Sequence, residues 1–320
     1  MLTDGCGREI NYLRVSLTDK CNLRCKYCVP PEGVQLLDHA DILTLEEVLR
    51  VISIMTSLGV NRVRFTGGEP LVRKNVISLI QKVSKLDENA PRMGLTTNGV
   101  LLDDYIEYLI FSNVRDINIS LDTLDPEVYE SLTGQDALSS VMRSIQACLV
   151  NEVNLKLNVV PVKGINEDDI PGLAALARDY KVAVRFIELM PVGCACSYEG
   201  LSNDEVRKKL NEVYGAETVC EVEGGGPATY VTYPGFVGRV GFISPMTHAF
   251  CSACNRVRLT CDGKLKLCLA SPECLDVKSL IRSGASDAQI ADEIKAAVLK
   301  KPAEHGLKFT DGRNMIGIGG

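Results

Sequence analysis

The chain has 320 residues, of which 46% are hydrophobic and 24% are charged, and its formal net charge is -6. This composition is typical of a globular protein and excludes a disordered chain. The negative charge excludes a general nucleic-acid binder, because phosphate-backbone binding requires a broad basic surface. Residues 1–16, "MLTDGCGREINYLRVS", contain no apolar core, so we predict no signal peptide and a cytoplasmic protein. No apolar stretch approaches the ~20 residues that span a bilayer.

Short β-like runs alternate with amphipathic helical patterns from residue 11 onward. The helix predicted over residues 44–59 has one apolar face, a capping box formed by Thr44 and Glu47, and a terminating glycine, Gly59. The strands are predicted at residues 12–17, 62–66, 92–97, 116–121, 155–160 and 183–189. Further helices are predicted from about Lys74, from about Asp103, over residues 140–150 and within residues 168–180.

Six consecutive β/α units with mostly hydrophobic strands indicate a parallel sheet covered by helices. The alternation predicts an α/β fold with a partial (β/α)6 barrel of the TIM type, because the eight units of a complete barrel are not found. Near residue 190 the alternation gives way to a Gly-rich, strand-like pattern, "EGGGPATYVTYPGFVGRVGFIS". We therefore predict a barrel over residues 5–190 and a C-terminal extension over residues 191–320.

Three of the 13 cysteines, Cys21, Cys25 and Cys28, form a C-x3-C-x2-C run directly after the first predicted strand. In a reducing compartment such a run points to metal or redox chemistry rather than to disulfides. Structural zinc requires four protein ligands, and no fourth Cys or His lies at suitable spacing here. A cubane iron-sulfur cluster held by three cysteines leaves one iron open to a small molecule, and this is the site that we predict.

Other unusual short segments also follow predicted strands. "TGGEP" at residues 66–70 follows the second strand, "TTNG" at 96–99 the third, and "SLDT" at 120–123 the fourth. In a barrel, the loops after the carboxyl ends of the strands carry function, so these segments should meet the cysteine run. The glycine pair brings backbone close to a ligand, and Glu69 offers a carboxylate to an ammonium group.

A second cysteine-rich segment, "FCSACNRVRLTCDGKLKLCL", covers residues 250–269. Its Cys251 and Cys254 form a C-x2-C pair, and spacing alone leaves structural zinc and an iron-sulfur cluster equally open. Arg256 and Arg258 lie two apart on an extended segment and should point to one side, which suits a phosphorylated or polyanionic ligand. The candidates for the remaining metal ligand are Cys261, Cys268 and Cys274.

The C-x3-C-x2-C run followed by a GGE segment resembles the radical S-adenosylmethionine (SAM) enzymes, in which SAM chelates the open iron. Several longer segments together resemble one family of that superfamily, the GTP 3',8-cyclases of molybdenum cofactor biosynthesis, over residues 5–320. These segments include "RVSLTDKCNLRCKYCVP", "VRFTGGEPLVRK", "LTTNG", "INISLDTLDPE", "VRFIELMP", "GFISPMTHAFCSACNRVRLTCDGKLKLCL" and the terminal Gly-Gly.

The resemblance implies two 4Fe-4S clusters and a set of ligand contacts. The first cluster is expected on Cys21, Cys25 and Cys28, and the second on Cys251, Cys254 and Cys268. SAM is expected near Tyr27, Gly68, Glu69, Ser120 and Met190. GTP contacts are expected from Arg14, Arg62, Arg64, Thr96, Lys156, Arg185, Arg256 and Arg258. Arg14 and the terminal Gly319 and Gly320 are expected to be catalytic, while Cys261 departs from the family pattern and leaves open whether it competes with Cys268.

The activity implied is conversion of GTP to (8S)-3',8-cyclo-7,8-dihydroguanosine 5'-triphosphate by a 5'-deoxyadenosyl radical that takes the C3' hydrogen. The implied partners are a reductant such as flavodoxin or ferredoxin and a downstream cyclic pyranopterin monophosphate synthase, with no nucleic acid and no membrane. A monomer or a homodimer is expected. Two alternatives remain at this point: a radical SAM enzyme that modifies a peptide, and a non-enzymatic iron-sulfur or zinc regulator.

Overall fold

The computed structural model describes residues 1–86, 90–220, 226–306 and 314–319, which form one sheet of 12 strands with surrounding helices. The strands are β1 Tyr12–Ser16, β2 Arg62–Thr66, β3 Arg92–Thr97, β4 Asp116–Ser120, β5 Asn154–Val159, β6 Ala183–Ile187, β7 Thr218–Cys220, β8 Thr229–Thr232, β9 Arg239–Ile243, β10 Arg256–Leu259, β11 Lys264–Lys266 and β12 Cys274–Asp276.

The helices of the described residues alternate with the first six strands and then cluster near the C-terminus. They are α1 Leu45–Ser57, α2 Val76–Val83, α3 Ile106–Phe111, α4 Pro126–Thr133, α5 Leu138–Val150, α6 Ile170–Asp179, α7 Asn203–Tyr214, α8 Val277–Arg282, α9 Asp287–Val298 and α10 Met315–Ile318. Within the described ranges, no helix combines the length and the hydropathy that a membrane crossing requires.

The sheet has the order β12-β11-β10-β1-β2-β3-β4-β5-β6-β9-β8-β7. The strands from β10 to β9 in this order are all parallel, and antiparallel strands follow on both sides. The six β/α units therefore confirm the predicted α/β barrel. The residues after 190 extend the same sheet at both sides, with β10 next to β1 and β9 next to β6. A domain division at residue 190 stays a prediction.

Local sequence signals account for the helix ends. At the start of α1, Thr44 Oγ1 accepts from the Glu47 amide at 3.1 Å, and Glu47 Oε2 accepts from the Thr44 amide at 2.7 Å, as the capping box predicts. Gly59 follows the helix with a φ of 103°. The short helix α4 was not predicted although Asp125 caps it, because it buries few apolar side chains.

The strands sort their side chains between a hydrophobic core and a central cavity. In β1, Leu13 and Val15 are fully buried in the core, whereas Arg14 between them lines the cavity. In β10, Val257 is likewise buried beside the cavity-lining Arg256. A complete TIM barrel fills its interior with packed apolar side chains. The interior of this barrel is instead a cavity whose lining includes charged side chains such as Arg14 and Arg256.

Candidate active site

The central cavity has a volume of about 1060 Å³. Pockets for single small molecules usually measure ~300–1,000 Å³, so this one has room for more than one ligand. All six predicted cluster cysteines and all eight predicted GTP contacts line it. Four of the five residues expected near SAM also line it, namely Tyr27, Gly68, Ser120 and Met190.

Two three-cysteine sets lie at opposite ends of the cavity. The upper set, Cys21, Cys25 and Cys28, follows the carboxyl end of β1. The lower set is Cys251, Cys254 and Cys268, and its first two members precede the start of β10. Because β1 and β10 are parallel and in register, these ends are separated by the length of a strand, roughly 13 Å.

The upper set provides a donor arrangement that fits an iron-sulfur cluster. The pKa of Cys25 lies well above its usual value, mainly because the thiol is buried and secondly because Cys28 is close. The thiolate forms of these cysteines therefore need a compensating positive charge. The Leu23 amide donates to Cys21 Sγ at 3.4 Å, and Asn98 Nδ2 donates to the same sulfur at 3.7 Å. In the described part of the chain, no group of three ligands converges on a single metal ion. A cubane has no such requirement, since each cysteine binds a separate iron.

Glu69 does not take the position that we expected. Its carboxylate is fully buried and does not line the cavity. It accepts from the Leu71 amide at 3.0 Å, from Thr97 Oγ1 at 2.8 Å and from the Asn98 amide at 2.7 Å. Burial raises the pKa of Glu69 to about 7. The carboxylate therefore joins the loops after β2 and β3, and its contact with an ammonium group stays a prediction.

The cysteine loop passes very close to Gly68, whose contact with SAM stays a prediction. A Cβ atom at Gly68 would lie 2.4 Å from the carbonyl oxygen of Lys20, in the loop that carries the upper set. The Glu69 amide donates to the same oxygen at 2.8 Å. Only glycine permits this approach, which fixes the GGE segment against the cysteine loop.

Tyr27 and Asp122 form a second contact beside the upper set. The Tyr27 hydroxyl donates to Asp122 Oδ2, and Asp122 Oδ1 accepts from the Val160 amide at 2.8 Å. Burial, and then Asp122, raise the pKa of Tyr27 well above its usual value, so the hydroxyl remains a donor. Asp122 was not predicted as a site residue, although the "SLDT" segment that contains it was singled out.

Three arginines stand side by side across the middle of the cavity. The strand register pairs Arg14 of β1 with Arg258 of β10 on one side and with Arg64 of β2 on the other. The pKa of Arg14 lies well below its usual value, mainly because the side chain is buried and secondly because the charge of Arg258 is nearby. The pKa of Arg258 falls to about 10, mainly because of burial and secondly because of the charge of Arg256. These shifts reflect the cost of desolvating like charges, a cost that a polyanionic ligand relieves.

Protein acceptors surround the guanidinium of Arg64. Its Nε donates to the Tyr12 hydroxyl at 2.7 Å, its Nη1 to the Leu95 carbonyl at 2.8 Å, and its Nη2 pairs with Asp116 at 3.2 Å. It crosses β3 directly above Gly94, where a Cβ atom would lie 2.6 Å from Nη2. Arg64 therefore connects β1, β2 and β3 while it also lines the cavity, and its direct contact with GTP stays a prediction.

The cavity is strongly basic although the whole chain is acidic. Lysine and arginine contribute ten of its lining residues, against three from aspartate and glutamate, while the formal net charge of the chain is -6. The three acids, moreover, are bound within the protein. Asp116 pairs with Arg64 and Lys156, Asp122 binds Tyr27, and Glu188 accepts from the Met246 and Thr247 amides. The field inside the cavity consequently favours an anion.

The two other candidate cysteines do not line the cavity beside the lower set, and the choice of Cys268 as ligand stays a prediction. The Cys261 thiol is 1% exposed and does not line the cavity, and Cys274 is exposed on β12. Burial, and then Asp19, raise the pKa of Cys261 to about 12. Although burial opposes the thiolate, Lys301 holds the pKa of Cys254 below its usual value. Lys301 was not predicted, because it lies far from the cysteine segment in the sequence.

The C-terminal residues 314–319 enter the barrel. Asn314 Oδ1 accepts from the Cys194 amide at 3.0 Å, and Ile316 and Ile318 of α10 are buried. The carbonyl oxygen of Gly319 accepts from Arg258 Nη1 at 2.8 Å. Gly319 thus lies between the upper end of the cavity and the arginines. The predicted role of Gly320 falls on a residue outside the described ranges.

A partial parallel barrel with a three-cysteine loop after its first strand and a glycine pair after its second defines a radical SAM enzyme. Residues 15–177 match the model of the Radical SAM superfamily, and residues 182–307 match the model named Molybdenum Cofactor Synthesis C. The crystal structure of SuiB from Streptococcus suis bound to S-adenosylmethionine has a TM-score of 0.61 and 14% identity, covers 90% of this chain and 68% of its own, and supports the fold alone.

Full-length relatives narrow the class to one family. The GTP 3',8-cyclase of Desulforamulus reducens is 41% identical over 327 residues, covering 100% of both chains. That of Peptoclostridium acidaminophilum is 44% identical over 330 residues, covering 100% of this chain and 98% of its own. The chain belongs to the GTP 3',8-cyclase family of the radical SAM superfamily, which confirms the resemblance. This membership implies SAM and one 4Fe-4S cluster as cofactors.

Proposed function

We propose that the protein converts GTP to (8S)-3',8-cyclo-7,8-dihydroguanosine 5'-triphosphate, the first step of molybdenum cofactor biosynthesis. The observation that carries this proposal is the central cavity, which is lined by basic residues and lies between the two three-cysteine sets. Relatives of full length named GTP 3',8-cyclase support it. A flavodoxin- or ferredoxin-type protein is the proposed reductant, and a cyclic pyranopterin monophosphate synthase the proposed consumer of the product.

The upper set would hold the cluster whose open iron binds SAM, and the cavity-lining Tyr27, Gly68, Ser120 and Met190 would contact SAM. When bound and reduced, that cluster supplies the electron that releases a 5'-deoxyadenosyl radical from SAM. The lower set would hold a second 4Fe-4S cluster at the opposite end. Its donor set fits this group, because three cysteines line the cavity there and the His305 amide donates to Cys251 Sγ at 3.4 Å.

GTP would lie between the two ends, with its triphosphate on the arginines. A triphosphate carries about four negative charges, and each charge-assisted hydrogen bond contributes roughly 1.5–3 kcal/mol. Arg14, Arg256 and Arg258 all line the cavity, and the charges of Arg256 and Arg258 are close enough to lower the pKa of Arg14. Arg62, Lys156, Arg185 and Thr96 extend the polar lining onto β2, β3, β5 and β6. These groups orient the ribose, and the barrel wall and the tail limit the access of water.

Anaerobic incubation with SAM, GTP and a reductant, followed by mass analysis of the products, tests the proposal. We expect methionine, 5'-deoxyadenosine and a new nucleotide isomeric with GTP, because one hydrogen leaves C3' and one electron and one proton enter the base. A nucleotide product that forms only with GTP supports the function. SAM cleavage that never yields a changed nucleotide contradicts it and favours a peptide substrate, and absence of SAM cleavage favours a non-enzymatic protein.

Replacing Cys268 by Ala should lower the iron content of the reconstituted protein, whereas replacing Cys261 should leave it unchanged. The reason is position, since only Cys268 of the two lines the cavity. Iron analysis of the purified variants after anaerobic reconstitution measures the difference. Iron loss in Cys261→Ala together with full iron content in Cys268→Ala would show that Cys261 is the ligand.

Replacing Arg256 and Arg258 together by Ala should weaken GTP binding by ~3 kcal/mol or more, since each charged bond contributes ~1.5–3 kcal/mol. Calorimetric titration of GTP against the reconstituted protein measures the loss, and the iron content should stay constant. Arg178→Ala is the matched control, because Arg178 is exposed, pairs with Asp179 and lies outside the cavity lining. Unaltered GTP affinity in a folded double variant contradicts the assignment.

A further inference from the structure

A buried lysine lies directly behind the lower set. Lys301 is 4% exposed, and its Nζ donates to the carbonyl oxygens of Arg256, at 3.0 Å, and of Leu267. Arg256 is two residues after Cys254, and Leu267 immediately precedes Cys268. One ammonium group therefore joins the two chain segments that carry these cysteines.

An arginine from the N-terminus supports the third cysteine in the same way. Arg8 Nη1 donates to the Cys251 carbonyl at 2.7 Å and to the Ala303 carbonyl at 2.9 Å, and Nη2 donates to Pro302 at 2.6 Å. Asp4, whose side chain is fully buried, fixes the guanidinium through a 2.6 Å contact to Nε. The backbone beside every cysteine of the lower set is thus bound to one of two cations.

The charge of Lys301 requires a partner that the carbonyl groups alone do not supply. Burying an ammonium group is costly unless an opposite charge compensates it. Three thiolates around a 4Fe-4S core carry a net negative charge, and reduction of the core adds one more. A fixed positive charge held on the backbone of the ligand segments stabilises both states, and it stabilises the reduced state more.

We propose that Lys301 is a positioning residue of the lower cluster: it joins the Cys254 and Cys268 segments and raises the reduction potential of the cluster that they hold. The proposal rests on the proposed function, because it requires a cluster at the lower set. Arg8 fixes the Cys251 segment from the N-terminal side. Lys301 is one of the ten basic residues that line the cavity, but its ammonium group donates to the backbone of the ligand segments.

The experiment isolates the lower cluster in a full-length chain in which Cys21, Cys25 and Cys28 are replaced by Ser. Iron content and a redox titration followed by electron paramagnetic resonance are measured in this parent and in variants of it. Lys301→Met keeps an unbranched stem without the charge, and Lys301→Arg keeps the charge. Lys300→Met is the matched control, because Lys300 is the exposed neighbour in the sequence.

We expect Lys301→Met to hold less iron and to shift the midpoint potential to a more negative value. Lys301→Arg should recover part of the shift, and Lys300→Met should match the parent. In the otherwise native chain, Lys301→Met should retain the upper cluster and SAM cleavage.

Unchanged iron content and potential in Lys301→Met overturn the inference. Loss of the upper cluster as well shows a general folding defect and also contradicts a specific role. A parent that binds no iron removes the second cluster from the proposed function itself, which distinguishes that failure from a failure of Lys301 alone.

Discussion

Replacing Cys21, Cys25 and Cys28 together by Ala should abolish SAM cleavage and leave about half of the iron, ~4 of ~8 irons per chain. The upper set is the only predicted ligand set that follows the carboxyl end of β1, where the loop carrying the glycine pair contacts it. The lower set lies about a strand length away, so its ligands should remain in place. Iron analysis, the visible spectrum and the yield of 5'-deoxyadenosine measure the outcome.

The chain offers a matched control for this experiment. Cys6, Cys196 and Cys274 are all exposed, and none of them lines the cavity. Replacing these three by Ala removes the same number of thiols, and we expect the iron content and SAM cleavage of the native chain. A triple variant of the upper set that still cleaves SAM would sink the assignment. Iron loss in the control would show that thiol number, rather than position, decides the result.

The parts of the fold that the sequence predicts are those with local signals. Each strand from β1 to β6 was predicted within about two residues at either end, because its apolar run is bounded by turns or helix caps. The helix α1 was predicted from one apolar face and one capping box. The cysteine spacing predicted the upper set, since its three members lie within a single loop.

The parts that the sequence did not predict depend on contacts between distant residues. The pairing of β1 with β10 brings Arg14 beside Arg258 across more than two hundred positions, and no local pattern encodes that register. The sequence also does not reveal that Arg64 pairs with Asp116 or that its guanidinium lies over Gly94. For the same reason Lys301 was missed. Whether an arginine or lysine connects strands or faces a ligand depends on the residues around it in the folded structure.

Glycine at position 319 is not interchangeable with alanine in this structure. Its φ is 88°, in the left-handed region, and a Cβ atom would lie 2.7 Å from Ser16 Cβ and 3.0 Å from Thr66 Oγ1. An L-residue at such a φ costs roughly 1–2 kcal/mol before any clash. The carbonyl of Gly319 also receives a hydrogen bond from Arg258, so a displaced tail would disturb an arginine at the proposed substrate site.

We therefore expect Gly319→Ala to lower the rate of GTP conversion by on the order of 100-fold or more, because a misplacement of about 1 Å near the reacting atoms has that effect. Deleting the last two residues should nearly abolish product, with iron content and GTP binding largely retained, and a synthetic peptide of the tail should restore part of the activity. The measurement is the initial rate of nucleotide product formed under anaerobic conditions.

Gly317 offers a control for this experiment. A substitution there tests whether any change in the tail lowers the rate, or only a change at Gly319. A Cβ atom at Gly317 would meet nothing within 4 Å, and this residue lies inside α10. Gly317→Ala should consequently keep the wild-type rate, since alanine also favours a helix over glycine. Equal rates for Gly319→Ala and the wild type would mean that the tail end frays in solution and takes no part in the reaction. Equal losses in both variants would assign the effect to the helix rather than to the contact of Gly319 with Ser16, Thr66 and Arg258.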